Sequence, residues 1–212
     1  MRSRRRSTAE IRRLVAPDAL PDPIGVAVSF CALLDRLGIP YVIGGSFASS
    51  VHGEPRSTND IDVVADLRVE LVPALVDALG ADYYVSLDAA REAVLAEGTF
   101  NVIHMQGGIK IDVFVAGEDP FNQERLRHRE AVQPGTEASP TLYVDIAEHS
   151  IVRKLEWFRR GGESSERQWR DVLSMLRVQG DRLDQSRLRR WATQLGVSDL
   201  LVRARAAVGA RP

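Results

Sequence analysis

The chain has 212 residues, 44% of them apolar, which suits one large domain or a domain with a helical annex and excludes global disorder. Its formal net charge of −1 argues against a uniformly basic nucleic-acid-binding protein. No run approaches the roughly 18 apolar residues of a membrane span, and Cys31 has no second cysteine with which to form a disulfide. We therefore expect a cytoplasmic protein that does not contact a membrane.

Residues 1–23 are expected to form a basic arm followed by a linker. Three prolines punctuate residues 17–23, and the arm carries four arginines: Arg2, Arg4, Arg5 and Arg6. Such a terminal run is either a solvated tail or a segment that binds the phosphates of RNA, and the sequence leaves both open.

Residues 24–142 alternate helical patterns with short apolar runs, and residues 143–212 form a helical region with breaks near Gly161–Gly162, Gly180 and Gly196. The first helix is expected from Ile24 to Leu37, with Gly38 as its stop. Further helices are expected at 47–53, 69–80, 89–98 and 121–130. Strands are expected at 41–45, 60–67, 83–87, 99–105 and 109–115, the last two as a hairpin. The predicted fold class is α/β of the α+β type: a mixed sheet with helices, followed by a helical C-terminal part.

Three aspartates stand out on the predicted strands. Asp60 and Asp62 are two residues apart, so their side chains share one face of the strand. Asp112 lies in a second apolar run, and it joins the same patch if its strand is a neighbour. Clustered carboxylates repel one another unless a cation lies between them, and hard divalent cations prefer oxygen ligands. The pattern predicts a Mg²⁺ or Mn²⁺ site formed by Asp60, Asp62 and Asp112, although two exposed carboxylates on a polar sheet face remain the alternative.

A glycine-rich turn precedes these aspartates. Gly44, Gly45 and Ser46 end one strand and open a helix, where free N–H groups and the helix dipole favour phosphate. The loop that follows contains Arg56, Ser57 and Thr58, which offer a cation and two hydroxyls to a nucleotide. Each of these features alone is weak evidence for phosphate binding. Together with the nearby Asp-x-Asp pair they predict nucleotide binding.

The ordered segments IGGSFASS, PRSTNDIDVV and KIDVF resemble the polymerase-β-like nucleotidyltransferase superfamily. Within it, the chain is most similar to AbiEii-type nucleotidyltransferases, the toxins of bacterial toxin–antitoxin systems. Those proteins carry a downstream helix with a lysine and then an arginine–aspartate pair. The matching segments are AEHSIVRKLEWFRR and ERQWRDVLSML, which place Lys154 and Arg170–Asp171 at these positions. The resemblance covers roughly residues 41 to 176.

The resemblance implies an enzyme that transfers a nucleoside monophosphate from a nucleoside triphosphate to an acceptor hydroxyl and releases pyrophosphate. Asp60, Asp62, Asp112 and Lys154 are then catalytic, and Lys154 and Asp171 belong to the nucleotide site. From its place on the helix, Asp171 is either in the cleft or simply exposed. An RNA 3′ end such as that of tRNA is the expected acceptor, and a cognate antitoxin the expected partner. The basic clusters Arg2–Arg6 and Arg125–Arg129 favour RNA.

Two other functions stay open. The protein could transfer nucleotides to a small molecule, as aminoglycoside-modifying enzymes do, and an acidic acceptor pocket would favour that function. It could also be a non-catalytic nucleotide-binding regulator, although the three aspartates favour an enzyme.

Overall fold

A computed structural model describes residues 22–134 and 140–209, and the basic arm lies outside these residues. The seven strands of the described part are β1 Tyr41–Ile43, β2 Asp60–Ala65, β3 Tyr83–Tyr84, β4 Thr99–His104, β5 Ile109–Val115, β6 Glu130–Val132 and β7 Leu142–Val144. The α-helices are α1 Pro23–Arg36, α2 Gly45–His52, α3 Val72–Leu79, α4 Leu87–Leu95, α5 Pro120–Arg127, α6 Ala147–Arg160, α7 Glu166–Gln179, α8 Gln185–Gln194 and α9 Ser198–Gly209. The predicted fold class is confirmed.

All seven strands form one mixed sheet, in the order β3-β4-β5-β2-β1-β7-β6. Strand β2 pairs with β1 in antiparallel and with β5 in parallel orientation. Strands β4 and β5 form the predicted antiparallel hairpin, and Gly108 in its turn has a φ of 60°. The parallel pairing of β2 with β5 is the arrangement that brings the two aspartate-bearing strands together.

The two faces of the sheet differ because the side chains of each strand alternate. One face is apolar and packs against α1, α3 and α4, with buried residues such as Phe30, Ile61, Leu75 and Ile111. The other face carries the polar residues of β2 and β5, and α2 and α5 lie over part of it. The alternation thus separates the main core from a face that is available for chemistry.

Helices α6 to α9 enclose a second core, which includes Ile151, Leu155, Val172 and Trp191. Phe121 of α5 belongs to it as well. This region is helical as predicted, but β7 lies across the expected boundary at residue 142. None of the helices in residues 22–134 and 140–209 combines the length and the apolar character that a membrane-spanning helix needs.

The two short strands β6 and β7 were not predicted from the sequence. Each has three residues, too few to show a clear alternation, and the sequence between them is rich in turn-forming residues. Strand β7 nevertheless joins the sheet beside β1, through the parallel pair Ile43 and Val144. It therefore places Asp145 at the end of the Gly44–Gly45 turn.

Candidate active site

Asp62 and Asp112 lie directly opposite each other on the parallel strands β2 and β5. The same register sets Asp60 opposite Lys110. All four side chains share the polar face of the sheet, because each lies two residues from the next along its strand. The two aspartate-bearing strands are therefore neighbours, as predicted, and their pairing brings Asp112 next to the Asp60–Asp62 pair.

The carboxylates repel one another, and the ionisation of Asp62 reflects this repulsion. The pKa of Asp62 is raised by burial and by the charge of Asp112. Lys110 lies 2.8 Å from Asp112 and partly neutralises it. Asp60, at the start of β2, is exposed.

In residues 22–134 and 140–209 no three His, Cys, Asp or Glu side chains already converge closely enough to hold a metal ion. The donor set still suits a hard divalent cation, because it consists of carboxylate oxygens and because a cation would relieve the repulsion between Asp62 and Asp112. The assignment of Asp60, Asp62 and Asp112 as metal ligands stays a prediction.

The glycine turn is packed against charged side chains. Gly45 has a φ of 55°, and a Cβ at this position would lie 1.7 Å from the Asp62 carboxylate. A Cβ at Gly44 would lie 2.6 Å from the Arg125 guanidinium and 3.0 Å from the carboxylate of Asp145. The sequence suggested that these glycines allow a phosphate to approach. The structure adds a second reason for glycine, since no side chain fits between this turn and its neighbours.

One buried carboxylate, Asp171 of α7, organises the cations beside the turn. Arg56 donates to it through Nε at 3.0 Å and Nη2 at 2.9 Å, and Lys154 Nζ lies 2.8 Å from Oδ2. Arg56 also donates to the hydroxyl of Ser46, and Lys154 to the side chain of Gln168 at 3.1 Å. Asp171 is only 7% exposed, so the structure excludes the exposed placement; Asp171 is buried in contact with Lys154, and its role in the nucleotide site stays a prediction.

This arrangement sets the ionisation of both partners. Burial lowers the pKa of Lys154, although Asp171 acts in the opposite direction. Burial alone raises the pKa of Asp171, but the hydrogen bonds from Arg56 and Lys154 outweigh it and hold the pKa below its usual range. The carboxylate therefore stays ionised and fixes two cations close to the N-terminus of α2.

A second buried ion pair supports the other side of the turn. Arg125 of α5 donates to Asp145 through Nε at 2.9 Å and Nη2 at 2.7 Å, and both side chains are almost fully buried. His52 Nε2 lies 2.5 Å from the backbone carbonyl of Asp145. Sequence reasoning did not find Asp145. Its signal was faint: an aspartate between an apolar triplet and a helix.

The cluster Arg125–Arg129 was expected to form a basic surface, and the structure corrects this. Arg125 is buried in its pair with Asp145. Arg129 lies 4.1 Å from the ring centroid of Tyr143 and donates to the carbonyl of Tyr41 at 2.7 Å. Two of these arginines are thus used inside the protein, because the chain needs partners for a buried carboxylate and a buried carbonyl.

A cavity of about 530 Å³ opens between the polar face of the sheet and the helices α5, α6 and α7. Gly45 and Asp62 line it from the sheet side together with Val64, Thr99 and Phe114. From α5, α6, α7 and the residues just before α5 and α6, the cavity is lined by Asp119, Asn122, Arg125, Asp145, Ser150, Arg153, Lys154, Trp157, Arg160 and Gln168. The predicted residues Gly45, Asp62 and Lys154 therefore meet in one cleft.

Ser57 and Thr58 lie elsewhere. They line a different cavity, which is bordered by the start of α1, by α2 and by residues 55–59 of the loop before β2. Thr58 Oγ1 donates to the carbonyl of Asp60 at 3.1 Å, so this hydroxyl shapes the start of β2. Arg56 borders the same cavity but also reaches Ser46 and Asp171, and it therefore connects the two sites.

Known proteins of similar fold agree with this architecture. No protein-family model matches the sequence, and a search of curated proteins finds no match. A crystal structure of ANT(2″)-Ia in complex with adenylyl-2″-tobramycin matches with a TM-score of 0.52 and 18% identity over 86% of this chain and 97% of the other. An antigenic nucleotidyltransferase-like protein from Paracoccidioides brasiliensis matches with a TM-score of 0.51 and 18% identity over 86% and 94%.

These similarities define the fold. The chain has the mixed sheet and the following helices of the nucleotidyltransferase fold, as the resemblance to the polymerase-β-like superfamily implied. At 18% identity they carry no information on substrate. The AbiEii-type assignment stays a prediction from the sequence motifs.

Proposed function

We propose that this protein is a metal-dependent nucleotidyltransferase, which moves a nucleoside monophosphate from a nucleoside triphosphate to an acceptor hydroxyl and releases pyrophosphate. The observation that carries the proposal is the contact of three parts in one cleft. Asp62 lies against the backbone of Gly45 and opposite Asp112, and Lys154 lines the same cavity from α6. Phosphate-binding backbone, paired carboxylates and a lysine are the elements that phosphoryl transfer requires.

The glycine turn and its cations bind the triphosphate in this proposal. Gly45, at the start of α2, lines the cleft. In this proposal the free N–H groups of that helix end and the helix dipole bind phosphate. Lys154 and Arg56, which share Asp171, supply two positive charges beside Ser46. Because Asp171 carries a single negative charge, the trio keeps a net positive charge that attracts phosphate.

Asp60, Asp62 and Asp112 are the residues that would hold Mg²⁺ or Mn²⁺. Such an ion, when bound, supplies positive charge that stabilises the triphosphate and lowers the pKa of an attacking hydroxyl. In this proposal Asp112 also accepts the proton of that hydroxyl. Lys110 forms an ion pair with Asp112 at 2.8 Å.

For the acceptor we propose the 3′ end of an RNA such as tRNA, as the motif resemblance implies. The charge of the cleft does not favour the aminoglycoside alternative. Four cations line the cavity, Arg125, Arg153, Lys154 and Arg160, against three carboxylates, Asp62, Asp119 and Asp145. A polycationic drug would bind better in an acidic pocket.

The test uses purified protein, Mg²⁺, total RNA and each of the four α-labelled nucleoside triphosphates. We expect label on tRNA-sized RNA. Label on a small molecule alone would overturn the acceptor but keep the transferase, and no transfer with any acceptor, despite nucleotide binding, would leave a non-catalytic regulator.

The basic arm provides a second test of the RNA acceptor. Deleting residues 1–7 should leave nucleotide binding unchanged and weaken RNA binding at low salt, because phosphate neutralisation is screened by ions. RNA affinity that is unchanged at low salt would mean that the arm does not bind RNA.

A toxin role with a cognate antitoxin completes the proposal. Expression of the chain in bacteria should arrest growth, and the Asp62→Asn variant should not. Growth arrest by both proteins at equal expression would argue that nucleotidyl transfer is not the cause.

A further inference from the structure

Trp157 differs from the other two tryptophans of the chain. Trp191 is buried against Phe121, with ring centroids 4.8 Å apart, and Trp169 packs on Phe158 at 5.2 Å. Trp157 is 43% exposed and lines the cleft that contains Asp62. An indole offers a large apolar ring, so at this exposure and position part of the ring is accessible to a ligand in the cleft.

The neighbours of Trp157 on α6 are cationic. The Arg160 guanidinium lies 5.4 Å from the centroid of the indole ring and also lines the cleft. Glu156 holds Arg160 by an ion pair of 2.6 Å. The guanidinium can cover one face of the ring and keep the side chain in place, which leaves the remaining surface free for another planar group.

The spacing along α6 relates this indole to the phosphate-binding lysine. Lys154 and Trp157 are three residues apart, so they lie on the same helix face with Cβ atoms about 5–6 Å apart. On the opposite wall, Phe114 lies two residues beyond Asp112 on the same face of β5. The cleft therefore has a polar end at Gly45, Asp62 and Lys154 and an aromatic part beside it.

We propose that Trp157, held by Arg160, is the stacking site for the base of the nucleoside triphosphate. This inference rests on the proposed function, because it assumes that the triphosphate binds beside Lys154. A nucleoside triphosphate has charged phosphates at one end and a flat aromatic base at the other, joined by a sugar. The cleft likewise has a polar end and an aromatic part beside it. Stacking on an aromatic side chain accepts any base, so Trp157 adds affinity for nucleosides over bare phosphates.

The experiment compares nucleoside triphosphates with inorganic tripolyphosphate, which reports on the phosphate site alone. Affinities for the four triphosphates and for tripolyphosphate are measured by calorimetry with Mg²⁺ for the wild type, Trp157→Ala, Trp157→Phe and the control Trp169→Phe. We expect Trp157→Ala to weaken the best nucleotide about 10-fold and to leave tripolyphosphate within a factor of about two. Trp157→Phe should keep most of the affinity, and the control should match the wild type.

Fluorescence gives an independent signal. Nucleotide, but not tripolyphosphate, should quench the wild-type emission, and Trp157→Phe should lose that quenching although Trp169 and Trp191 remain. Equal affinities of Trp157→Ala and wild type for nucleotide would overturn the proposal, as would an equal loss for nucleotide and tripolyphosphate. A wild-type protein that binds neither ligand would contradict the proposed function itself.

Discussion

The sheet and the C-terminal helices contribute opposite charges to the cleft. The sheet brings carboxylates, Asp62 and Asp112, on a face whose other side is the apolar core. The helices bring cations, above all Lys154 and Arg153, from a second core of their own. Each region has its own apolar core, and the charged side chains of the cleft lie where the two regions meet.

The difference lies in how each region holds its charges. On the sheet, register alone sets Asp62 against Asp112, and the repulsion between them is left for a ligand to relieve. On the helical side the cation Lys154 is already paired with Asp171. A site whose carboxylates repel one another on one side, and whose two cations share a single carboxylate on the other, suits a complex of a metal ion with a triphosphate.

On the sheet side, neutralising one aspartate should abolish nucleotidyl transfer. We expect Asp62→Asn to lower nucleotidyl transfer by more than about 1,000-fold, since loss of a catalytic group commonly has effects of this size or greater. Asp60→Asn should behave similarly. The exposed Asp66, just beyond β2, is the matched control, and Asp66→Asn should retain activity. Label transfer from an α-labelled triphosphate measures all three, and near-normal activity of either Asp60→Asn or Asp62→Asn would refute the metal-ligand assignment.

The helical side should respond mainly through stability. Asp171→Asn leaves Arg56 and Lys154 facing each other without their shared partner, which should cost about 3 kcal/mol of unfolding free energy. Asp199→Asn removes an exposed ion pair with Arg159 and should change stability little. Urea denaturation compares them, and similar midpoints for the two variants would mean that the buried network is not stabilising.

The close contact between the glycine turn and Asp62 can be tested by comparing two glycines. Gly45 and Gly108 both have positive φ, 55° and 60°, but only the first has a side chain within reach of an added Cβ. Replacement by alanine should cost each about 1–2 kcal/mol from backbone conformation. Gly45→Ala should cost about 1–3 kcal/mol more, because the methyl group collides with Asp62, and it should also lose activity. Equal stability and activity of the two variants would contradict the contact.

The smallest effect concerns pH and the second core. Burial lowers the pKa of His149 from 6.5 to about 4, and neither ring nitrogen has a hydrogen-bond partner. Below pH 6.5 the unfolded chain therefore binds a proton at His149 that the folded protein does not bind. The free energy of unfolding consequently decreases as pH falls from 6.5 to 4. The loss should reach about 2 kcal/mol at pH 5. Denaturation at pH 7 and 5 should show a smaller difference for His149→Leu than for the wild type; an unchanged difference would exclude His149 as the source.

Much of the fold could be predicted because its signals are local. The alternation in IKIDVFV and DIDVV predicts strands, and the period of α6 and α7 predicts amphipathic helices. The glycine turn and the Asp-x-Asp pair are also local, so the candidate site could be located from the chain alone. The short strands β6 and β7 could not, because three residues carry too little pattern.

What only the tertiary structure decided is which distant residues share the cleft. The sequence alone determined the alternating strands, the helical C-terminal part and the set of aspartates. The pairing of Arg125 with Asp145 and of Lys154 with Asp171 depends on packing between elements far apart in the chain. An unpaired charge is costly when it is buried, so each buried charge needs a partner of opposite sign. Which residues become partners depends on how the helices pack on the sheet, and neither local propensity nor periodicity predicts that packing.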